Sequence, residues 1–505
     1  LMKRLMQAAV CLGMAFSFGA VAQEYDLPIK EHILDNGLKL LVIERPNDDR
    51  VAAKIYTDMG AINEISGEYG SAHFLEHLMF KGTKTLGTSD WQREKPLYEE
   101  LLKTEEQLIA LMNKERNALR QRGVFHDYQH KVTTPEIDAL KAKIAELDEE
   151  INKTAVEGDT MKWYQAYGGT SLTAQTEQEF MKFDIDLPAN RVEVFLRVEA
   201  DRMENTIFRR FDQERMILVE QRYGDLSRNA TPFKEAMSSL TGRTSRVYVP
   251  EGYLTDFDNY TRKYEQYLYE TFFVPNNTTL IFVGGVTMDE MIPLVEKYFG
   301  HMERKPEPDR YYGVEPKPQY EKRLIYRSND LSPRVEFRYQ IPAVGHPDRP
   351  AFDVIGEVAK NRLNEAFSAA GIKASASVGT RVIHTDMFGL PASLNFEVIG
   401  PEADQAAIEA IMHRVMGSLW VESIYDYELN FAKKVLRTKW YRDTAKPADL
   451  ATMIGLFEVM DSWKTMEAYV NSRAETTSDD INRLAKQYFI NDTLAVGIVQ
   501  SKEAE

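Results

Sequence analysis

One stretch of this chain is written twice. Phe272-Phe273-Val274-Pro275-Asn276-Asn277-Thr278-Thr279-Leu280-Ile281-Phe282-Val283-Gly284 returns as Tyr488-Phe489-Ile490-Asn491-Asp492-Thr493-Leu494-Ala495-Val496-Gly497. Each copy follows an amphipathic helical pattern, residues 264–271 in the first and 480–487 in the second, so each reads as helix, Asn turn and apolar strand. Phe273 and Phe489 are 489 − 273 = 216 residues apart. A repeat of that period predicts two similar domains of roughly that size, since one core does not grow to the whole length. Between the copies, Glu303-Arg304-Lys305-Pro306-Glu307-Pro308-Asp309 and Pro316-Lys317-Pro318 are charged, Pro-rich and have little to bury. They read as a linker over residues 303–321, separating an N-terminal domain, 23–302, from a C-terminal domain, 322–505.

Each half mixes strands with helices. Residues 38–44 and 52–58 read as a strand pair after an Asn36-Gly37 turn, and helices follow, so the expected class is α+β with each sheet covered on one face. The first half is longer by an insertion at about 88–160. Within it Ile137, Leu140, Ile144, Leu147 and Ile151 are spaced 3, 4, 3, 4, which is an a/d seam. Thr134-Pro135-Glu136 caps that helix, and Leu101, Leu108, Met112 and Leu119 supply a partner stripe. A helical hairpin projecting from the first domain is predicted, its charged faces turned to solvent.

The first residues carry Met2-Lys3-Arg4, an apolar run over 5–18 and Ala20-Val21-Ala22, the pattern of a signal peptide cut after Ala22. Export across an inner membrane, to a periplasmic and soluble form, is the expectation. Cys11 is the only cysteine and lies in that leader, with Val10 before it arguing against a lipid anchor. No later stretch is apolar for long enough to span a membrane. A net charge of −16 with pI near 5.3 argues against nucleic acid as a partner.

The chemistry concentrates in His73-Phe74-Leu75-Glu76-His77. On a helix, positions i, i+3 and i+4 share a face, so two imidazoles and a carboxylate converge. Two such nitrogens suit Zn²⁺, and a carboxylate beside them is placed to take a proton from a metal-bound water. H-x-x-E-H is the inverted zincin order. The plainer alternative is two surface histidines near a Glu on an amphipathic helix.

The flanks read Gly67-Glu68-Tyr69-Gly70-Ser71-Ala72-His73, then Leu78-Met79-Phe80-Lys81-Gly82-Thr83. Together with Asn36-Gly37-Leu38, Glu199-Ala200-Asp201-Arg202-Met203, Phe211-x-x-Glu214-Arg215 and Val274-Pro275-Asn276-Asn277, this resembles the M16 (pitrilysin/insulinase) metallopeptidases, more closely their shorter processing-peptidase-like branch. The resemblance implies two homologous α/β-sandwich domains in a clam-like arrangement around a peptide or unfolded polypeptide. It also implies zinc as cofactor and a homodimer or a heterodimer with a second M16 subunit. His73 and His77 would bind the metal and Glu76 would be the catalytic base.

The family's third ligand is a Glu seven residues beyond the Glu of the E-R pair. Here that pair is Glu214-Arg215 and the position holds Gln221, with Glu220 one residue early. Glu220 is the expected third donor and Gln221 the alternative, although adjacent helical residues point about 100° apart. Glu214 is expected to support the ligands from behind, its plainer reading being a solvated helix charge. The family's substrate-edge strand carries Asn-Ala-x-Thr, whereas this chain has Thr173-Ala174-Gln175-Thr176, so Thr173 and Ala174 are the expected substrate-side positions. Arg362 reads as structural, no Tyr stands at the place where many relatives carry one, and His346, His384 and His413 are isolated. The leading expectation is a secreted zinc endopeptidase. The competing one is a weak or inactive subunit that binds peptides or completes a partner's chamber.

Overall fold

The computed structural model describes residues 25–124, 132–156, 158–228, 230–241, 249–309, 318–379, 392–400 and 404–501. The proposed leader, His384 and much of the 303–321 linker lie outside the described residues. The first half runs through β1 (Ile29–Ile33), β2 (Lys39–Glu44), β3 (Arg50–Thr57) and α1 (Ser71–Met79), then α2 (Trp91–Gln121), α3 (Pro135–Asn152) and α4 (Asp159–Ala166). It continues with β4 (Thr170–Thr176), β5 (Met181–Pro188), α5 (Val192–Asn205), α6 (Phe211–Ser227), α7 (Thr231–Thr241), α8 (Arg262–Phe272), β6 (Thr278–Gly284) and α9 (Met288–Phe299). The second half comprises β7 (Lys322–Arg327), β8 (Arg334–Ile341), α10 (Arg349–Ala369), β9 (Ser375–Gly379), β10 (Ala392–Ile399) and α11 (Gln405–Val421). It ends with α12 (Asp426–Asp443), α13 (Pro447–Met460), α14 (Lys464–Glu475), α15 (Ser478–Tyr488) and β11 (Leu494–Gln500).

Among the described residues two sheets form, ordered β1-β2-β6-β3-β5-β4 and β7-β11-β8-β10-β9. Apart from β1 they are the same sheet built twice. β2 pairs parallel with β6 as β7 does with β11, and every other pairing is antiparallel. The offset of 216 predicted from the repeated text holds at both ends of the motif, since Arg262 + 216 is Ser478 and Thr278 + 216 is Leu494. The chain is therefore an α+β protein of two homologous halves.

The expected pairing of residues 38–44 with 52–58 is not formed. The Asn36-Gly37 turn joins β1 to β2, and β6, more than 220 residues later, separates β2 from β3. Asn36 holds that turn from within, donating to the carbonyls of Phe299 and Met302. All three central strands are apolar at consecutive positions, which marks strands buried on both faces. Only a distant strand can complete such a sheet.

One-sided coverage is likewise corrected. Leu40, Val42, Ala53, Ile55, Leu280 and Phe282 face a core shared with Phe74 and Leu75 of α1, Phe195 of α5 and Leu268 of α8. Their sequence neighbours Leu41, Ile43, Ala52, Tyr56, Ile281 and Val283 point the other way. These six are covered by Leu450, Ile454, Phe457 and Met460 of α13, from the second half. Reciprocally, Phe233 and Met237 of α7, from the first half, pack on Ala495 and Val499 of the second sheet. Each half thus lends a helix to the back of the other's sheet. A Cβ at Gly455 would meet the Tyr56 ring at 2.2 Å, so Gly455→Leu is expected to cost about 2–3 kcal/mol. Both halves should unfold together at lower denaturant, with tryptophan fluorescence and far-UV dichroism giving one coincident transition.

The insertion is the predicted helical hairpin of α2 and α3. Thr134 caps α3 by accepting from the Ile137 amide. Ile144, Leu147 and Ile151 close on Tyr98 and Leu101, joined by Ile207 from the domain body. Its charges do not all face solvent. Arg262, nearly fully buried, pairs with Glu105 of α2 and with Asp148 of α3 at 2.7 Å. Arg209, also buried, pairs with Glu94 at 2.7 Å. These buried ion pairs tie the base of the hairpin to both ends of the segment that carries α6 and α7.

Candidate metal and catalytic site

Helix α1 starts where the chain can turn only through glycine. Gly70 has φ 97°, and a Cβ there would lie 2.3 Å from the Tyr260 hydroxyl and 2.8 Å from Gly252 Cα. The buried Glu64 carboxyl accepts from the amides of Gly70 and Ala72 at 2.9 and 2.7 Å, closing the helix N-terminus. Tyr260 donates to the Tyr69 carbonyl at 2.7 Å. With Phe74, Leu75 and Leu78 turned into the core, the helical period leaves His73, Glu76 and His77 together on the other side.

The two imidazole rings stand nearly perpendicular, with centroids 4.9 Å apart. Burial, and then the neighbouring His77, lowers the His73 pKa to about 3, so its ring is neutral; its Nδ1 is buried without a hydrogen-bond partner among the described residues. His77 Nδ1 lies 3.3 Å from Glu214 Oε2, and Lys81 Nζ lies 2.7 Å from the other oxygen of that carboxylate. Burial raises the Glu214 carboxyl, but the bonds from His77 and Lys81 outweigh it and hold the group below its ordinary value. An Nδ1–H donated to an ionised carboxylate leaves Nε2 with its lone pair outward, the arrangement in which histidine serves a metal. Glu76 is almost fully buried and accepts from Thr176 Oγ1 at 2.6 Å. Burial pushes its carboxyl upward, against the Thr176 bond and the nearby His77.

Thr176 belongs to β4, which among the described residues is the edge of the first sheet and packs against α1. Thr173 is exposed on that strand and donates to Asp184 at 2.7 Å; Ala174 is half-buried against the core. The strand carries a register irregularity between Thr170 and Thr173, with Ser171 at φ 59°. An open strand edge therefore runs beside the Glu76 carboxyl.

The third donor is not gathered. Glu214 is buried on α6, whereas Glu220 and Gln221 are both exposed. Seven residues make almost two turns, so Gln221 shares the face of Glu214 and Glu220 is rotated about 100° from Gln221. Among the described residues no three His, Cys, Asp or Glu side chains are placed to hold one metal ion. The His73 and His77 rings thus fit a zinc ion as nitrogen donors; neither Glu220 nor Gln221 joins them in this arrangement. Arg362 is structural, forming a two-pronged pair with Glu428 at 2.6 and 2.9 Å. His346 accepts from the Asp348 amide, and His413 lies against Phe337 and Glu409.

Sequence reading passed over Glu64, Lys81, Thr176 and Arg209, although the first three lie within or beside quoted motif text. Behind α1 lies a set of buried acids. Burial holds Glu64 and Glu265 well above the carboxylate range, and burial with the Asp256 charge brings Glu68 to about 8. Protons bound by the folded chain are then released on unfolding, so stability falls as pH rises from the ordinary carboxylate range towards 8. Glu265→Gln is expected to raise Tm at pH 8 and to change it little at pH 5, as read by thermal melting at the two pH values.

Comparison with known proteins agrees with this geometry. Residues 39–94, which include α1, match the family model described as insulinase (peptidase family M16), and residues 261–434 match the model described as peptidase M16 inactive domain. A zinc protease PqqE of Helicobacter pylori is 21% identical over 500 residues, covering 96% of each chain. A probable mitochondrial-processing peptidase subunit beta of Schizosaccharomyces pombe is 26% identical over 270 residues, which are 54% of this chain and 44% of that one. The crystal structure of a protease from Helicobacter pylori superposes with a TM-score of 0.73 at 17% identity, covering 94% of this chain and 100% of that one. No helix among the described residues is long and apolar enough to cross a membrane. Two copies of one sheet, a His-x-x-Glu-His helix beside a strand edge, and matches to two M16 models, one in each half, make the chain similar to M16 peptidases.

Proposed function

We propose that this chain is a zinc-dependent endopeptidase acting on peptides or unfolded protein segments. The observation that carries the reading is the α1 face, where the neutral His73 ring and the His77 ring, braced by Glu214 and Lys81, flank the Glu76 carboxyl. His73 and His77 would hold the metal. Glu220 is proposed as the third donor, reached by a slip of α6, with Gln221 the alternative because it shares the face of Glu214. Zinc held there supplies Lewis-acid polarisation of a carbonyl and hydroxide at neutral pH. Glu76, with one oxygen occupied by Thr176, has its other oxygen to receive and pass on a proton. The substrate backbone would add to β4 as a further strand, with Thr173 and Ala174 on its path, which gives affinity with little sequence selectivity. Export to the periplasm and pairing with a like or unlike second M16 subunit belong to the same proposal.

A second reading, a weak or inactive peptide-binding subunit, is favoured by one observation: the acidic donor the family places seven residues beyond Glu214 is a glutamine here. Zinc titration of the apo chain separates the donors. Glu220→Ala is expected to weaken zinc by about tenfold or more, as loss of a carboxylate ligand would. If Glu220→Ala leaves zinc affinity unchanged while Gln221→Glu strengthens it, position 221 is the donor site.

A further inference from the structure

In the first half, α1, the edge strand β4 and α6 meet around the histidines. The repeat places α10, the edge strand β9 and α12 in the same relation in the second half, and these three also pack together. No metal-binding group stands there among the described residues. Instead the three elements enclose a groove of about 560 Å³, lined by Lys360 of α10, Ala376 and Val378 of β9, and Phe431, Lys434 and Arg442 of α12.

The lining runs against the character of the protein. The chain as a whole has a net charge of −16, yet this groove carries cations from two helices. Lys360 is paired with Glu357, the acidic residue of the wall. Among the described residues Lys434 makes no ion pair, and Arg442 pairs only with its neighbour Asp443, at 3.1 Å. Phe431 stands 53% exposed beside them, a cost in water that an apolar partner side chain would remove. Among the described residues the outer edge of β9 has no strand neighbour; the Ala376 amide donates to Asn364 Oδ1 at 3.0 Å, a bond an added strand would replace, and the edge otherwise forms no ladder. A cationic wall along a free strand edge selects for one shape and one charge, an extended backbone that carries carboxylates.

We propose that this groove is a second peptide-binding site, in which an acidic extended segment adds to β9 as a strand. Its carboxylates meet Lys434 and Arg442, and an apolar side chain covers Phe431. The proposal takes from the preceding section only that the chain handles peptides. Its test needs no cleavage, so failure of the peptidase reading leaves it standing and its own failure leaves that reading standing.

The experiment measures fluorescence anisotropy of three labelled twelve-residue peptides against the full chain carrying Glu76→Gln. One peptide is rich in Asp and Glu, one is its Asn/Gln counterpart, and one is the acidic peptide N-methylated at alternate residues. The acidic peptide is expected to bind about tenfold or more tightly than the neutral one, and less tightly as salt rises. Lys434→Glu with Arg442→Glu should remove that preference at unchanged Tm, since both side chains reach the surface, and Lys434→Gln alone should weaken it in part. N-methylation should also weaken binding about tenfold by blocking strand addition. Equal affinity for the acidic and neutral peptides, or an unchanged preference in the doubly reversed chain, would overturn the site. Undiminished binding of the N-methylated peptide would overturn the strand-addition geometry.

Discussion

Glu76→Gln is expected to lower peptide hydrolysis by about 10³-fold while leaving zinc uptake unchanged. The substitution keeps the shape of the side chain and keeps an oxygen that can accept from Thr176 Oγ1, so α1 and β4 stay in place. It removes only the capacity to take up a proton. Neither imidazole depends on Glu76 for its position: His77 is held by Glu214, and His73 is held by burial. Initial rates on a quenched fluorescent peptide, measured beside metal content for both proteins, check the expectation. A Glu76→Gln chain that cleaved at the wild-type rate would remove Glu76 from the reaction.

Arg209→Met is expected to destabilise the chain by about 3–5 kcal/mol, the usual cost of leaving one partner of a buried ion pair alone. Arg209 is 1% exposed, and its guanidinium bonds Glu94 at 2.8 Å and the carbonyls of Lys81 and Thr83 at 3.3 and 2.8 Å. Three parts of the molecule meet on that one side chain: the helical insertion, the chain leaving α1, and the residue before the left-handed Arg210 that opens α6. Glu94 also accepts from Thr88 and Thr154, so the uncompensated charge would sit in a site built to hold it. The double variant Arg209→Met with Glu94→Gln should recover most of the loss, because no charge is then stranded. Zinc affinity should fall in the single variant as α6 loses its fixed register against His77. Urea unfolding with zinc titration reads both effects. Loss of less than about 1 kcal/mol would show that the insertion is not anchored through this pair.

What could be read from the text and what could not divides along a physical line. The α1 face, the α3 seam capped by Thr134 and the repeated helix–turn–strand are local periodicities, and periodicity survives without knowledge of the fold. The place of β6 between β2 and β3 depends on a pairing across more than 220 residues, to which no local pattern points. The exchanged helices α7 and α13 were hidden for the same reason, although consecutive apolar residues at 40–43 and 280–283 already called for two covered faces. Nothing in the text marks Glu64, Arg209 and Arg262 as buried, because burial of a charge is decided by the partner that meets it. The third metal donor sat at the margin: Glu220 and Gln221 differ by one residue, and one residue on a helix is 100°.

The central claim is that this chain uses zinc on α1 to cut peptides. Stripping the purified chain of metal, titrating zinc back and following both binding and hydrolysis of a quenched peptide tests it most directly. The account predicts that hydrolysis is absent without zinc and rises in step with occupancy to one ion per chain, and that His73→Ala abolishes both. A chain that binds one zinc through His73 and His77 and cleaves no peptide at any occupancy would contradict it.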